Sequence, residues 1–137
     1  MASALYLDTS AVLRAVLESG VSPQVEQQLR AARALVTSRL SLVESTRVLL
    51  RLRADGRASE ENLADAAREI DAVWNRCEIW ELTRQVCETA SQVAPRGSLR
   101  TLDALHLATY VLARRHIDGL ELLTADTRLS EAARSVG

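Results

Sequence analysis

A chain of 137 residues with 47% apolar and 26% charged side chains can build a hydrophobic core, which excludes a disordered protein. Its net charge of −1 gives no bulk attraction to nucleic acid, so such a partner would need a local basic patch. All 17 basic residues are Arg, which excludes a Walker A loop and Schiff-base chemistry and leaves Arg as the only basic side chain to grip phosphate.

Ala4 to Leu7 (ALYL) reads as a short buried strand. Asp8, Thr9 and Ser10 follow, all good cap residues, and AVLRAVLE continues as a helix. Gly20 to Pro23 is a break, and Pro23 can open a helix through VEQQLRAAR. Ala34 to Thr37 is a second strand. Ser38 or Ser41 caps a helix to about Arg53, ended by Asp55-Gly56. Ser59 caps the next, with Glu60 and Glu61 favouring its dipole and Leu63, Ala67, Ile70 and Trp74 on one face. Glu78 to Leu82 alternates as a third strand. Thr83 caps a helix carrying Val86, Ala90 and Val93 on one face. After a loop around Pro95 and Gly97, Thr101 caps a helix to about Arg115. Leu120 to Thr124 is a fourth strand, and Asp126 can cap a last helix from Arg128 to Arg134. Strands alternating with helices predict an α/β fold, a three-layer α/β/α sandwich around a short parallel sheet, in a single domain over residues 1–137.

Cys77 and Cys87 have neither CxxC spacing nor a matching His pair, and read as structural thiols. The N-terminus has no basic segment leading into a long apolar run, and no stretch approaches about 18 apolar residues. Neither a signal peptide nor a membrane span is expected, and the cytoplasm follows by default.

In a parallel sheet of this kind, strand C-termini and helix N-termini meet at one edge, where ligands bind. Asp8 follows the first strand. Glu44 lies one to two turns into the helix after the second. Asp103 lies in the first turn of the helix before the fourth strand, and Asp126 lies two residues after that strand. All four acids therefore belong to one edge. Like carboxylates at about 4 Å repel by several kcal/mol at an effective dielectric near 20, so they stay protonated or need cations. Oxygen-only ligands favour Mg²⁺ or Mn²⁺. Each acid also has a plainer reading. Asp8 and Asp126 can be helix caps, and Glu44 can pair with Arg47 one turn on. Asp103 is the informative one, because LDALHLATYVLA is apolar on nearly every side and reads as a buried helix. A buried carboxylate needs a partner or a metal.

LYLDTSAVL, Val43-Glu44, RTLDALHLATY and LLTADTRL together resemble the PIN domain, and most of all the VapC-type toxins of bacterial toxin–antitoxin pairs. The resemblance spans essentially the whole chain. It implies a Mg²⁺- or Mn²⁺-dependent endoribonuclease that hydrolyses RNA phosphodiesters with a metal-activated water. It implies that Asp8, Glu44, Asp103 and Asp126 form the acidic cluster, with supporting hydroxyls from Thr9, Ser10 and Thr124. A homodimer and a cognate antitoxin seated in the active-site groove are implied as well. Many relatives end in a further strand; with the chain stopping at Ser135-Val136-Gly137, four strands in order 3-2-1-4 are expected, or five in order 3-2-1-4-5 if that strand forms.

Glu44, Arg47 and Arg51 share a helix face and can guide phosphates toward the acids, although solvated arginines paired with nearby acids explain the stripe equally well. Arg100 is a further candidate phosphate contact, whereas Arg14 and Arg39 read as ordinary surface residues. His106, one turn after Asp103, can approach the site, but packing or hydrogen bonding inside the buried helix is the expectation. Trp74, Trp80, Tyr6 and Tyr110 have no interleaved basic motif, so core or interface packing is expected. The helices from Ala11 to Arg33 and from Leu40 to Arg53 are candidate contacts for a second copy or an antitoxin.

Two rival readings remain open. A haloacid-dehalogenase-type phosphatase wants a second Asp where Ser10 stands, and usually a Lys; a receiver domain likewise lacks its Lys and its phosphoacceptor. A non-catalytic PIN-like scaffold would bind RNA or a partner protein without cutting.

Overall fold

A computed structural model describes residues 3–97 and 99–136. Four strands, β1 (Ala4–Leu7), β2 (Ala34–Ser38), β3 (Cys77–Trp80) and β4 (Glu121–Leu123), pair in parallel in the order β3-β2-β1-β4. The helices are α1 (Thr9–Leu17), α2 (Pro23–Ala31), α3 (Arg39–Asp55), α4 (Glu60–Asn75), α5 (Arg84–Ala90), α6 (Thr101–Ala113) and α7 (Thr127–Ser135).

Strand periodicity sorts the core into two layers. Leu5 and Leu7 pack with Val12 of α1, Leu29 of α2, and Ile70 and Trp74 of α4. Ala4 and Tyr6 face the other way, onto Leu107 and Tyr110 of α6 and Leu129 of α7. Successive strand side chains point to opposite faces, so one four-residue strand anchors both helical layers. The expected α/β/α sandwich and the strand order 3-2-1-4 are both present. The sheet has four strands among the described residues, with α7 helical after β4; Gly137 lies outside the described residues.

Element ends differ from expectation where a partner decides them. The third strand stops at Trp80, two residues early, because its partner β2 ends at Ser38, opposite Trp80. Beyond that point Glu81 takes Arg39 as an ion partner at 2.6 Å. The fourth strand stops at Leu123, paired with Leu7, the last residue of β1. Arg100, not Thr101, occupies the cap position of α6, without a side-chain cap bond. α6 is also not buried all round: Leu107, Ala108 and Tyr110 are buried, but Leu102 is 47% exposed. Its first turn projects from the sheet edge, and that turn carries Asp103.

Two local devices match the sequence reading. Ser38 caps α3 by accepting from the Leu40 amide at 3.0 Å. Gly56 ends the same helix at φ 70°, a left-handed conformation that costs glycine little.

Candidate active site

The chain leaves β1 for β2 on one side and returns to β4 on the other. The point where strand order reverses therefore lies between β1 and β4, the usual crevice of an open α/β sheet. The Asp8 amide extends the β1–β4 ladder by donating to the Leu123 carbonyl at 3.3 Å.

Asp8 is 4% exposed. Its Oδ1 accepts from Ser10 Oγ at 2.7 Å and from the Ala11 amide at 3.3 Å, so it caps α1 as well as lining the edge. Burial raises its pKa above the ordinary carboxylate value, against the pull of Ser10, His106 and Thr124. Ser10 Oγ also shares a hydrogen bond with Thr124 Oγ1 at 3.2 Å and accepts from the Ala125 amide at 3.0 Å. Thr124 in turn accepts from the Asp126 amide at 3.0 Å. Asp126 caps α7, its Oδ1 accepting from the Arg128 and Leu129 amides at 2.9 and 3.4 Å. A bridge of two hydroxyls thus ties the first acid to the last, across more than a hundred residues of sequence.

Glu44 projects from the second turn of α3. Its Oε1 accepts from Thr9 Oγ1 at 2.6 Å and lies 2.7 Å from His106 Nε2. Burial pushes its pKa up, but the His106 and Thr9 hydrogen bonds together outweigh that and hold the carboxyl below its ordinary value. The sequence alternative of a Glu44–Arg47 pair is not formed. His106 is buried as expected, but it bonds to a site acid rather than only within its helix, and its Nδ1 lies 2.8 Å from the Tyr6 hydroxyl. Tyr6, read from sequence as packing alone, is part of that chain. A signal existed for both. Tyr6 stands two residues before Asp8 on a strand, so both side chains share a sheet face. His106 stands three residues after Asp103, on the same side of its helix.

Asp103 is half-buried rather than enclosed. Its pKa is raised first by burial, then by the negative charges of Asp126 and Glu44, against His106 and Arg100. Asp103 stands in the first turn of α6, three residues after Arg100 at the cap. Arg47 and Arg51 lie exposed on α3, and among the described residues neither they nor Arg100 form an ion pair. Arg14 pairs with Glu18 at 2.5 Å, and Arg39 with Glu81, as surface residues do.

A hollow of about 270 Å³ opens beside Ser10, Ala125 and Asp126. Two larger ones, of about 500 and 580 Å³, lie beside Ala94, Gly97 and Leu99 between α5, α6 and α7, and none of the four acids lines them. The acids, rather than the larger hollows, mark the site. Among the described residues no group of three or more His, Cys, Asp or Glu side chains is placed to hold a metal ion. Mg²⁺ characteristically binds through one or two carboxylates plus waters and substrate phosphate, so an open all-oxygen edge suits it. In Asp8, Asp126 and Glu44 the hydrogen bonds from the protein converge on one carboxylate oxygen, which orients each acid while engaging only half of it.

A parallel 3-2-1-4 sheet with acids at its switch point is the frame on which the comparisons converge. The PIN domain model matches residues 5–135, and the chain belongs to the PIN-domain family. Within that family it is similar to the VapC ribonucleases. It is 31% identical to Ribonuclease VapC46 of Mycobacterium tuberculosis over 98% of this chain and 94% of that protein. It is 29% identical to Ribonuclease VapC45 of the same species over 97% and 91%. Among solved structures, PAE2754 of Pyrobaculum aerophilum shares the fold with a TM-score of 0.65 at 20% identity, over 99% of this chain and 88% of that one. A toxin–antitoxin complex from Klebsiella pneumoniae matches with a TM-score of 0.61 at 24% identity, over 92% and 88%.

Proposed function

We propose that this protein is a Mg²⁺- or Mn²⁺-dependent endoribonuclease and the toxin of a toxin–antitoxin pair, acting on RNA in the cytoplasm. The observation that carries the reading is the PIN-domain match over nearly the whole chain, with relatives that include named ribonucleases; the positions of Asp8, Glu44, Asp103 and Asp126 toward one edge of the parallel sheet support it. Asp8, Asp103 and Asp126 would hold the metal directly or through water, with Glu44 beside them. A bound divalent ion supplies charge neutralisation for an in-line phosphodiester displacement and makes water a stronger nucleophile. Ser10 and Thr124 keep Asp8 and Asp126 in register, and Thr9 steadies Glu44. Arg100, three residues before Asp103, is a phosphate contact for the RNA, and Arg47 and Arg51 extend that role along α3.

The partners follow from the same reading: a cognate antitoxin and a second copy of this chain. Val43 and Leu50, seven residues apart on α3, are 54% and 45% exposed. Residues at that spacing share a helix face, and exposed apolar side chains on one face support a protein contact there. Among the described residues no helix is long and apolar enough to cross a membrane.

The decisive experiment incubates the purified protein with total RNA in Mn²⁺ or Mg²⁺, beside chelator and Asp8→Asn controls. Cleavage should need the metal and Asp8, and the new ends should be 5′-phosphate and 3′-hydroxyl. Ends carrying 2′,3′-cyclic phosphate would exclude water as the nucleophile. RNA binding without cleavage across a broad substrate panel would leave a scaffold instead.

A further inference from the structure

His106 has no task in the scheme above. It is 2% exposed, so substrate cannot reach it, yet both ring nitrogens have partners: Tyr6 Oη at 2.8 Å on Nδ1, and Glu44 Oε1 at 2.7 Å on Nε2. Thr9 Oγ1 lies 3.4 Å from the same Nε2 and donates to the same Oε1.

The buried Tyr6 hydroxyl holds one side of the ring through Nδ1 at 2.8 Å. A carboxylate oxygen can only accept, so His106 Nε2 bears a proton toward Glu44 Oε1, with the Thr9 hydroxyl as the second donor to the same oxygen.

Both bonds end on Glu44 Oε1, so turning the carboxylate about its last bond would break both, while Oε2 takes neither. We propose that His106, held between Tyr6 and Glu44, is a positioning residue that locks the Glu44 carboxylate for RNA hydrolysis. The proposal rests on the nuclease reading.

The test compares His106→Leu, His106→Gln and Tyr6→Phe in full-length protein, each checked by thermal melting. Gln can place an amide N–H near the Nε2 position; Leu fills similar space without a donor. Loss of a residue that orients a site ligand typically costs about 10–100-fold in activity. His106→Leu should lower kcat by that factor with KM for RNA little changed, and His106→Gln should recover most of the loss. Tyr6→Phe should lower kcat by several fold, again with KM unchanged. A folded His106→Leu variant with wild-type kcat, or a His106→Gln variant as impaired as Leu, would overturn the assignment. If Leu does not fold, Tyr6→Phe decides, and wild-type kcat there overturns it. Failure of the wild-type protein to cleave any RNA with metal present would instead remove the nuclease reading beneath it.

Discussion

The two halves of the acidic edge are built differently. Asp8 and Glu44 sit where β1, α1, α3 and α6 meet, and hydroxyls, an amide and an imidazole bind them from inside the fold. Asp103 and Asp126 sit on the first turn of α6 and the cap of α7, at the rim. Asp126 receives only its own cap amides, and among the described residues no hydrogen bond reaches the Asp103 side chain. Glu44 and Asp103 are both partly buried carboxylates, yet their pKa values move in opposite directions. The difference is the donors. Thr9 and His106 stabilise the charge on Glu44, whereas Asp103 meets Asp126 and Glu44 with only His106 and Arg100 in opposition. One half is completed by folding, and the other is left with repulsion that a cation would relieve.

Asp103→Asn should break that contrast most. It removes a rim charge with little change of shape, and cleavage should fall about 1000-fold, roughly 4 kcal/mol of transition-state stabilisation. The same variant should lose the stabilisation by Mn²⁺ that the wild type gains, about 2.7 kcal/mol at a hundred times Kd, read as a shift in thermal melting. Retention of both cleavage and shift would remove Asp103 from the site.

Thr37→Val tests the inner half. Thr37 is fully buried, donates to the Leu7 carbonyl at 2.7 Å and accepts from Ser41 Oγ at 2.8 Å, bracing the end of β1 beneath Asp8. Losing a buried hydroxyl with its partners left in place costs about 1–3 kcal/mol. Chemical denaturation should show that loss while the Mn²⁺ shift persists, because Thr37 touches no acid of the cluster.

The smallest effect concerns pH. In chelator, Asp103→Asn should melt a few degrees above the wild type at pH 7. A carboxyl whose pKa is raised by folding binds more protons in the native than in the unfolded state. Wild-type stability therefore declines as pH climbs from the ordinary Asp value of 3.8 through the raised one. The gap between the two proteins should close again at pH below 3.8. Asp8 shifts in the same direction and is present in both. Glu44 contributes the opposite slope, losing its stabilisation as pH falls below 4.5 and through its lowered pKa, also in both proteins.

Much of this architecture was legible because its signals are local. ALYL followed by Asp8, Thr9 and Ser10 announces a strand, a cap and a helix within a few residues. Asp126 reads as a cap for the same reason, and Gly56 as a stop. Once element ends are known, parallel topology places the acids at one edge without any distance being known. Errors arose where the deciding partner is remote. The third strand ends where β2 has no more backbone to offer, and the first turn of α6 leaves Leu102 47% exposed because among the described residues nothing covers it.

The sequence by itself determined the alternation of strands and helices and the positions of the four acids at element ends, because caps and periodicity act over a turn or two of chain. Only the tertiary structure decided which partner each acid takes. Arg47, three residues away on the same helix, was an available partner for Glu44, but His106, 62 residues away, holds it instead. The physical reason is desolvation: Glu44 reaches from α3 to the buried His106 of α6, and with its carboxylate partly out of water a buried, oriented donor outcompetes an exposed arginine that water already satisfies.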